Sequence, residues 1–99
     1  MAEYPETDYD ISMLFESDAQ WTDIYSAIMG KKKTGSFLKD ASFVDEYRGK
    51  QIPAGKKSVT IRLTIGSDEK TLTSQEIENV ANQVMKNLHK MIGAELRTQ

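Results

Sequence analysis

Between Lys57 and Ile65 the chain alternates without a slip. Val59, Ile61, Leu63 and Ile65 fall on one side; Ser58, Thr60, Arg62 and Thr64 fall on the other. Successive side chains of a strand point to opposite faces, so this segment predicts a strand with one apolar and one wholly polar face. Such a strand needs a layer over its apolar face and leaves the polar face open. The 99 residues set the scale at one domain. The apolar runs are only a few residues long, too short for a transmembrane helix. The opening Met1-Ala2-Glu3-Tyr4-Pro5 lacks a basic region followed by an apolar run, so no signal peptide is expected.

The inventory narrows the function classes. There is no cysteine, which removes disulfides, thiolate catalysis and Cys-based zinc sites. A reducing, cytoplasmic setting fits that usage. His89 is the single histidine, so no second imidazole can join it on a metal, and no metal site is expected. The length leaves little room for a cleft with walls. A binding module is favoured over an enzyme.

The formal net charge is −2, but the charges are segregated. Between residues 31 and 57 stand Lys31, Lys32, Lys33, Lys39, Arg48, Lys50, Lys56 and Lys57, opposed only by Asp40, Asp45 and Glu46. The rest of the chain holds five bases and twelve acids. A field divided in this way orients an anionic partner even when the total is slightly negative.

The elements follow from local signals. Ile11, Met13 and Phe15 alternate over 10–16 and predict a strand. Ser17 and Asp18 are N-cap types for a helix over about 19–29, with Trp21, Ile24 and Ile28 on one stripe and Ala27 beside it. Gly30 reads as its left-handed terminator. A basic loop, 31–35, leads to a strand over 36–47 whose imperfect alternation implies a bulge. Residues 48–55 are dense in turn formers and read as a hairpin loop. Thr73-Ser74-Gln75-Glu76 is a capping box, in which hydroxyl and carboxylate satisfy the unpaired donors of a first helical turn. The helix it opens carries Ile77, Val80, Ala81, Val84, Leu88, Met91 and Ile92 on a broad stripe, with Lys86 and Lys90 near its negative end. Gly93 stops it, and 94–97 supply a short last strand. The five methionines read as core filler. The order βαββαβ predicts a ferredoxin-like α+β fold, a four-stranded antiparallel sheet with two helices on one face. Residues 1–9 form an arm or linker and 10–97 the domain.

Several short motifs stand in register on this frame. They are Asp45-Glu46-Tyr47-Arg48-Gly49, then Ile52-Pro53-Ala54-Gly55-Lys56-Lys57-Ser58, then Lys70-Thr71-Leu72-Thr73-Ser74-Gln75-Glu76, and last Gly93-Ala94-Glu95-Leu96-Arg97. With the opening Tyr4-Pro5 and Asp10-Ile11-Ser12, they resemble the ferredoxin-fold anticodon-binding domain that ends the β subunit of bacterial phenylalanyl-tRNA synthetase. The resemblance covers about residues 4–97. The family usually carries Arg where this chain has Tyr9 and Lys70, and lysine lacks the bidentate fork of arginine. An aromatic usually stands where this chain has Val44.

The resemblance implies an accessory domain that docks on the anticodon stem-loop of the phenylalanine-specific tRNA and is not catalytic by itself. It implies as further partners the rest of the β subunit and the α subunit, and no membrane. ATP, magnesium and phenylalanine would bind elsewhere in the parent enzyme, so this domain is expected to hold no cofactor.

Asp45 is the candidate base reader. A carboxylate accepts two hydrogen bonds at once, and the Watson–Crick edge of an unpaired guanine presents two adjacent donors. The family's tRNA begins its anticodon with guanine. The structural reading beside it has Asp45 bracing the following turn through backbone amides. Plain alternation also groups Asp45 with Ala41, Phe43 and Tyr47 on the buried face unless a bulge intervenes. Tyr47 is expected at the core edge, with stacking on a base as the alternative, and Trp21 in packing. Ser58 and Arg62 are expected to offer polar contacts from the open face. Arg48, Lys50, Lys56 and Lys57 are expected as loop cations that touch RNA phosphates, giving affinity without specificity. The competing expectation is a stand-alone ferredoxin-like regulatory or oligomerisation module without RNA binding.

Overall fold

Six elements follow one another as β1 (Thr7–Glu16), α1 (Trp21–Met29), β2 (Leu38–Tyr47), β3 (Lys56–Ile65), α2 (Ser74–Ile92) and β4 (Glu95–Leu96). They are seen in a computed structural model that describes residues 4–30 and 37–96. The strands form one sheet in the order β2-β3-β1-β4, with every neighbouring pair antiparallel. This is the ferredoxin-like architecture that the alternation and the capping box predict. Lys31, Lys32, Lys33 and Arg97 lie outside the described residues.

The core forms between the helices and one face of the sheet. Ile24, Ala27 and Ile28 from α1 and Ala81, Val84 and Leu88 from α2 pack on Ile11, Met13, Phe15, Val59, Ile61, Leu63 and Ile65. Each fully buried aliphatic side chain of this kind stabilises the fold by about 1.5–3 kcal/mol. The parity of β3 is as the sequence requires, with the apolar set inward.

Four local expectations are corrected. β1 begins at Thr7, before its apolar residues start, because Asp8 and Asp10 pair across the sheet with Thr64 and Arg62. α1 begins at Trp21 with Gln20 as N-cap and no side-chain cap bond. Ser17 and Asp18 instead form a turn, closed by Ala19 N–H donating to Glu16 O at 2.9 Å. Gly30 is right-handed, with φ −65°. Its lack of a side chain serves close approach, since a Cβ there would collide with the Ser26 carbonyl.

β2 carries two register shifts rather than one, between Leu38 and Asp40 and between Phe43 and Asp45. The capping box of α2 is formed in both directions: Glu76 N–H donates to Thr73 Oγ1 at 3.1 Å and Thr73 N–H to Glu76 Oε1 at 2.9 Å. Gly93 ends α2 in the left-handed region at φ 71°, as expected. His89 Nδ1 lies 2.8 Å from Ala94 O and ties the helix end to the chain entering β4.

Candidate nucleic-acid interface

The face of the sheet away from the helices can be read from the pairing, because directly opposed residues of an antiparallel pair project to the same side. Across β1, β3 and β2 its rows are Leu14, Ser58 and Tyr47; Ser12, Thr60 and Asp45; and Asp10, Arg62 and Ser42. The rows are joined laterally. Ser12 Oγ lies 2.9 Å from Thr60 Oγ1. Arg62 donates through Nε to Asp10 Oδ1 at 2.9 Å and through Nη2 to Asp10 Oδ2 at 3.1 Å. That fork holds the Asp10 carboxyl below its ordinary range.

The bulge decides where Asp45 points. Phe43 opposes Ile61 and Asp45 opposes Thr60, so β2 advances two residues while β3 advances one. Val44 is the extra residue, and it inverts the parity of everything after it. Asp45 therefore leaves the face of Ala41 and joins the open face, where it is exposed. Its Oδ1 accepts from the Glu46 N–H at 2.9 Å. Thus the turn-bracing bond exists, and it occupies one oxygen of a carboxylate that still faces solvent.

Tyr47 follows Asp45 onto the same side. It was expected at the core edge; it is 44% exposed on the open face instead. Its ring lies so close over Gly49 that a Cβ there would overlap the phenol. Ser58 sits between Leu14 and Tyr47 and is only 1% exposed, so it forms the floor of this corner rather than a free donor. The sequence contained a signal for this arrangement. Asp45 and Tyr47 share a face by spacing, and a carboxylate without a partner is excluded from a core.

The predicted cations divide. Lys50 stands exposed in the hairpin turn, and no ion-pair partner for it occurs among the described residues. Lys56 opposes Glu16 and pairs with it, which raises the lysine's affinity for its proton. Arg48 is half-exposed, with Nε 3.2 Å from Glu46 Oε2 and Nη2 donating to Ser17 O at 2.9 Å. Lys57 is a correction. Its side chain is 8% exposed, with Nζ 2.6 Å from Ala19 O and 3.1 Å from Glu46 Oε1. The register turns Lys57 toward the helix side with Val59 and Ile61, so it is not a solvated loop cation. The hydrogen bond from Lys57, helped by Arg48, keeps the Glu46 carboxyl below its usual range.

The open face is thus polarised along the strands. Lys50 and Lys56 lie toward the hairpin end that carries Asp45 and Tyr47, Lys56 paired there with Glu16, while Arg48 turns to Glu46 and the Ser17 carbonyl. Asp8 and Asp10 occupy the other end, where Arg62 is taken up by Asp10. This geometry suits hydrogen-bonding and stacking of a flat polar ligand with phosphates toward the hairpin. No group of acidic or histidine side chains suited to holding a metal ion occurs among the described residues. No helix of the described residues is long and apolar enough to cross a membrane.

An antiparallel four-stranded sheet with two helices on one face makes the chain a ferredoxin-like α+β domain. The family model for the ferredoxin-fold anticodon binding domain matches residues 2–97. The chain is 39% identical over 97 residues to the phenylalanine–tRNA ligase beta subunit of Clostridium acetobutylicum, a match covering 98% of the chain and 12% of that relative. It is 38% identical to the same subunit of Carboxydothermus hydrogenoformans, over 99% of the chain and 12% of the relative. For the Vibrio parahaemolyticus subunit the identity is 33%, over 98% and 12%. The chain belongs to the ferredoxin-fold anticodon-binding domain family and corresponds to that domain rather than to the catalytic part. It spans about 12% of the length of these curated relatives.

Proposed function

We propose that this domain reads the anticodon loop of the phenylalanine-specific tRNA, as the accessory C-terminal domain of a phenylalanine–tRNA ligase β subunit. The observation that carries this reading is the placement of Asp45 and Tyr47 side by side on the open face, at its basic end. A splayed guanine offers N1–H and the N2 amino group along one edge, and the Asp45 carboxylate accepts from both. Adenine presents an acceptor at N1, which repels the same carboxylate. The Tyr47 ring offers a stacking surface that every base can use, while Asp45 supplies the selection.

Arg48, Lys50 and Lys56 contact loop phosphates. They add affinity and orientation without base preference. Arg62 contributes less than a free arginine because Asp10 already occupies its fork. Ser58 supports the corner from below. In the parent enzyme, the other β-subunit domains and the α subunit are the partners, and ATP, magnesium and phenylalanine bind there. Aminoacylation is therefore remote from this surface, and the setting is cytoplasmic.

The test is a titration of the chain with an unmodified anticodon stem-loop hairpin, carrying either guanine or adenine at the first anticodon position. Saturable binding at low salt with preference for guanine is expected. Absence of binding even at low salt overturns the reading and leaves a regulatory or oligomerisation module.

A further inference from the structure

We infer that Lys57 and Glu46 are positioning residues for base recognition: a shielded ionic brace, on the helix side of the sheet, that fixes the pitch of Asp45 and Tyr47 on the open side. The inference rests on the RNA reading above and assigns a role to two residues that do not face the ligand.

β2 is an edge strand. Its recognition end lies just after a bulge and just before a turn. A strand end of that kind, with partners on one side only, is the sort of segment that opens locally. Glu46 stands between Asp45 and Tyr47 and points the opposite way, opposing Val59. Its carboxylate receives Lys57 Nζ at 3.1 Å on Oε1 and Arg48 Nε at 3.2 Å on Oε2. Both cations reach on to the segment between β1 and α1, Lys57 to Ala19 O at 2.6 Å and Arg48 to Ser17 O at 2.9 Å. The recognition end of β2 is thereby tied to β3 and to the start of α1 at once.

Stability alone does not call for this arrangement. Position 57 follows the parity of Val59, Ile61 and Leu63, so an apolar side chain would suit the fold there. A shielded ammonium costs desolvation, and apolar replacements of such pairs are often neutral or stabilising. What the pair provides is direction. Two charge-assisted contacts on one carboxylate set the twist of a residue whose neighbours on both sides project toward RNA. Without them Asp45 and Tyr47 remain on the open face but lose a fixed spacing, and a two-point hydrogen bond to a base edge depends on that spacing.

The experiment uses Lys57→Met and, as the milder change, Glu46→Gln, with the same pair of hairpins. Three measurements are made on each variant: the guanine-to-adenine affinity ratio, the slope of log affinity against log salt, and amide exchange at residues 45–48. The expected result is a ratio reduced about 5- to 10-fold, the worth of one well-placed hydrogen bond. In Lys57→Met the salt slope stays that of the unaltered chain, because Lys57 meets no phosphate, and in both variants exchange at 45–48 accelerates. Adding Lys57→Met to Asp45→Ala produces no further loss of ratio beyond that of Asp45→Ala alone, since both act through one contact.

A ratio preserved in both variants, or a shallower salt slope in Lys57→Met, overturns the brace while the unaltered chain still discriminates. If the unaltered chain does not discriminate at all, the RNA reading fails and this assignment fails with it. The two failures are told apart by the unaltered protein alone.

Discussion

Asp10 and Arg62 face each other across β1 and β3 and share a two-pronged ion pair, at 2.9 and 3.1 Å, on the open face toward the end away from the hairpin. Arg62 projects from β3 onto that face, and the fork that would suit a phosphate is already filled by a carboxylate. On the proposed RNA reading, Asp10 competes with phosphate for Arg62. Replacing Asp10→Asn should release the guanidinium and raise affinity for every hairpin alike, by about 2- to 5-fold at low salt. It should also steepen the salt slope by about 0.7, one added phosphate contact. Filter-binding or fluorescence titration across a salt series measures both. An unchanged slope would mean that Arg62 stays away from phosphate even when freed.

The two recognition groups should fail differently. Asp45→Ala is expected to remove discrimination worth about 1–3 kcal/mol, the usual value of a two-point contact to a base edge. The salt slope should stay as it was. Tyr47→Ala is expected to weaken guanine and adenine hairpins together, by about 1–3 kcal/mol for a lost stacking surface. Equal loss of discrimination in both variants would show that Tyr47 is not a stacking platform.

Lys50 and Lys56 should behave as phosphate contacts. Lys50→Glu and Lys56→Glu are each expected to weaken all hairpins by a similar factor and to flatten the salt slope by about 0.7. A loss confined to the guanine hairpin would contradict that role. For Lys56 the loss is deepened, because Glu16 is left as an unpaired anion opposite the new carboxylate.

Acid should loosen the brace. The Glu46 carboxyl sits below its ordinary value of 4.5, chiefly through the hydrogen bond from Lys57. A carboxyl depressed by folding stabilises fully above its unfolded value, and the contribution disappears as pH falls through the folded one. The melting temperature is therefore expected to hold from pH 7 down to about 5 and to decline below Glu46's unfolded value. In Glu46→Gln that decline is smaller, since one linked group is missing. Circular dichroism melts at steps of pH compare the two. Parallel curves would show that the ion pair adds nothing to stability.

Most of the scaffold was legible in the residues because each element carries its own local signal. The alternation from Val59 to Ile65 fixes a one-sided strand, and Thr73 with Glu76 fixes the start of α2. Both depend on neighbours within a few positions. Two errors, at Ser17 with Asp18 and at Gly30, lie between local turn geometries three or four residues long, and the others fall where the deciding contact is distant. Ser17 and Asp18 look like helix caps but close a turn instead. Gly30 looks like a left-handed stop but serves a tight approach to Ser26. The site was half legible. Asp45 stands out by its chemistry, but counting leaves its face undecided between a regular strand and a bulged one, and the location of the bulge at Val44 depends on pairing with β3. Tyr47 was misplaced for the same reason. Lys57 was read as a surface cation because a lysine in a glycine-rich run is usually solvated; only the fold brings the Ala19 carbonyl and Glu46 over it.

The bulge also has a bearing on how this surface tolerates change. Because one supernumerary residue sets the direction of everything from Asp45 to the hairpin, chain length at this spot matters more than the identity of Val44. Swapping that valine for another small or branched side chain leaves the recognition corner facing outward. Deleting it would turn Asp45 and Tyr47 toward the helices and carry Glu46 onto the open face, exchanging the proposed reader and its support in a single step.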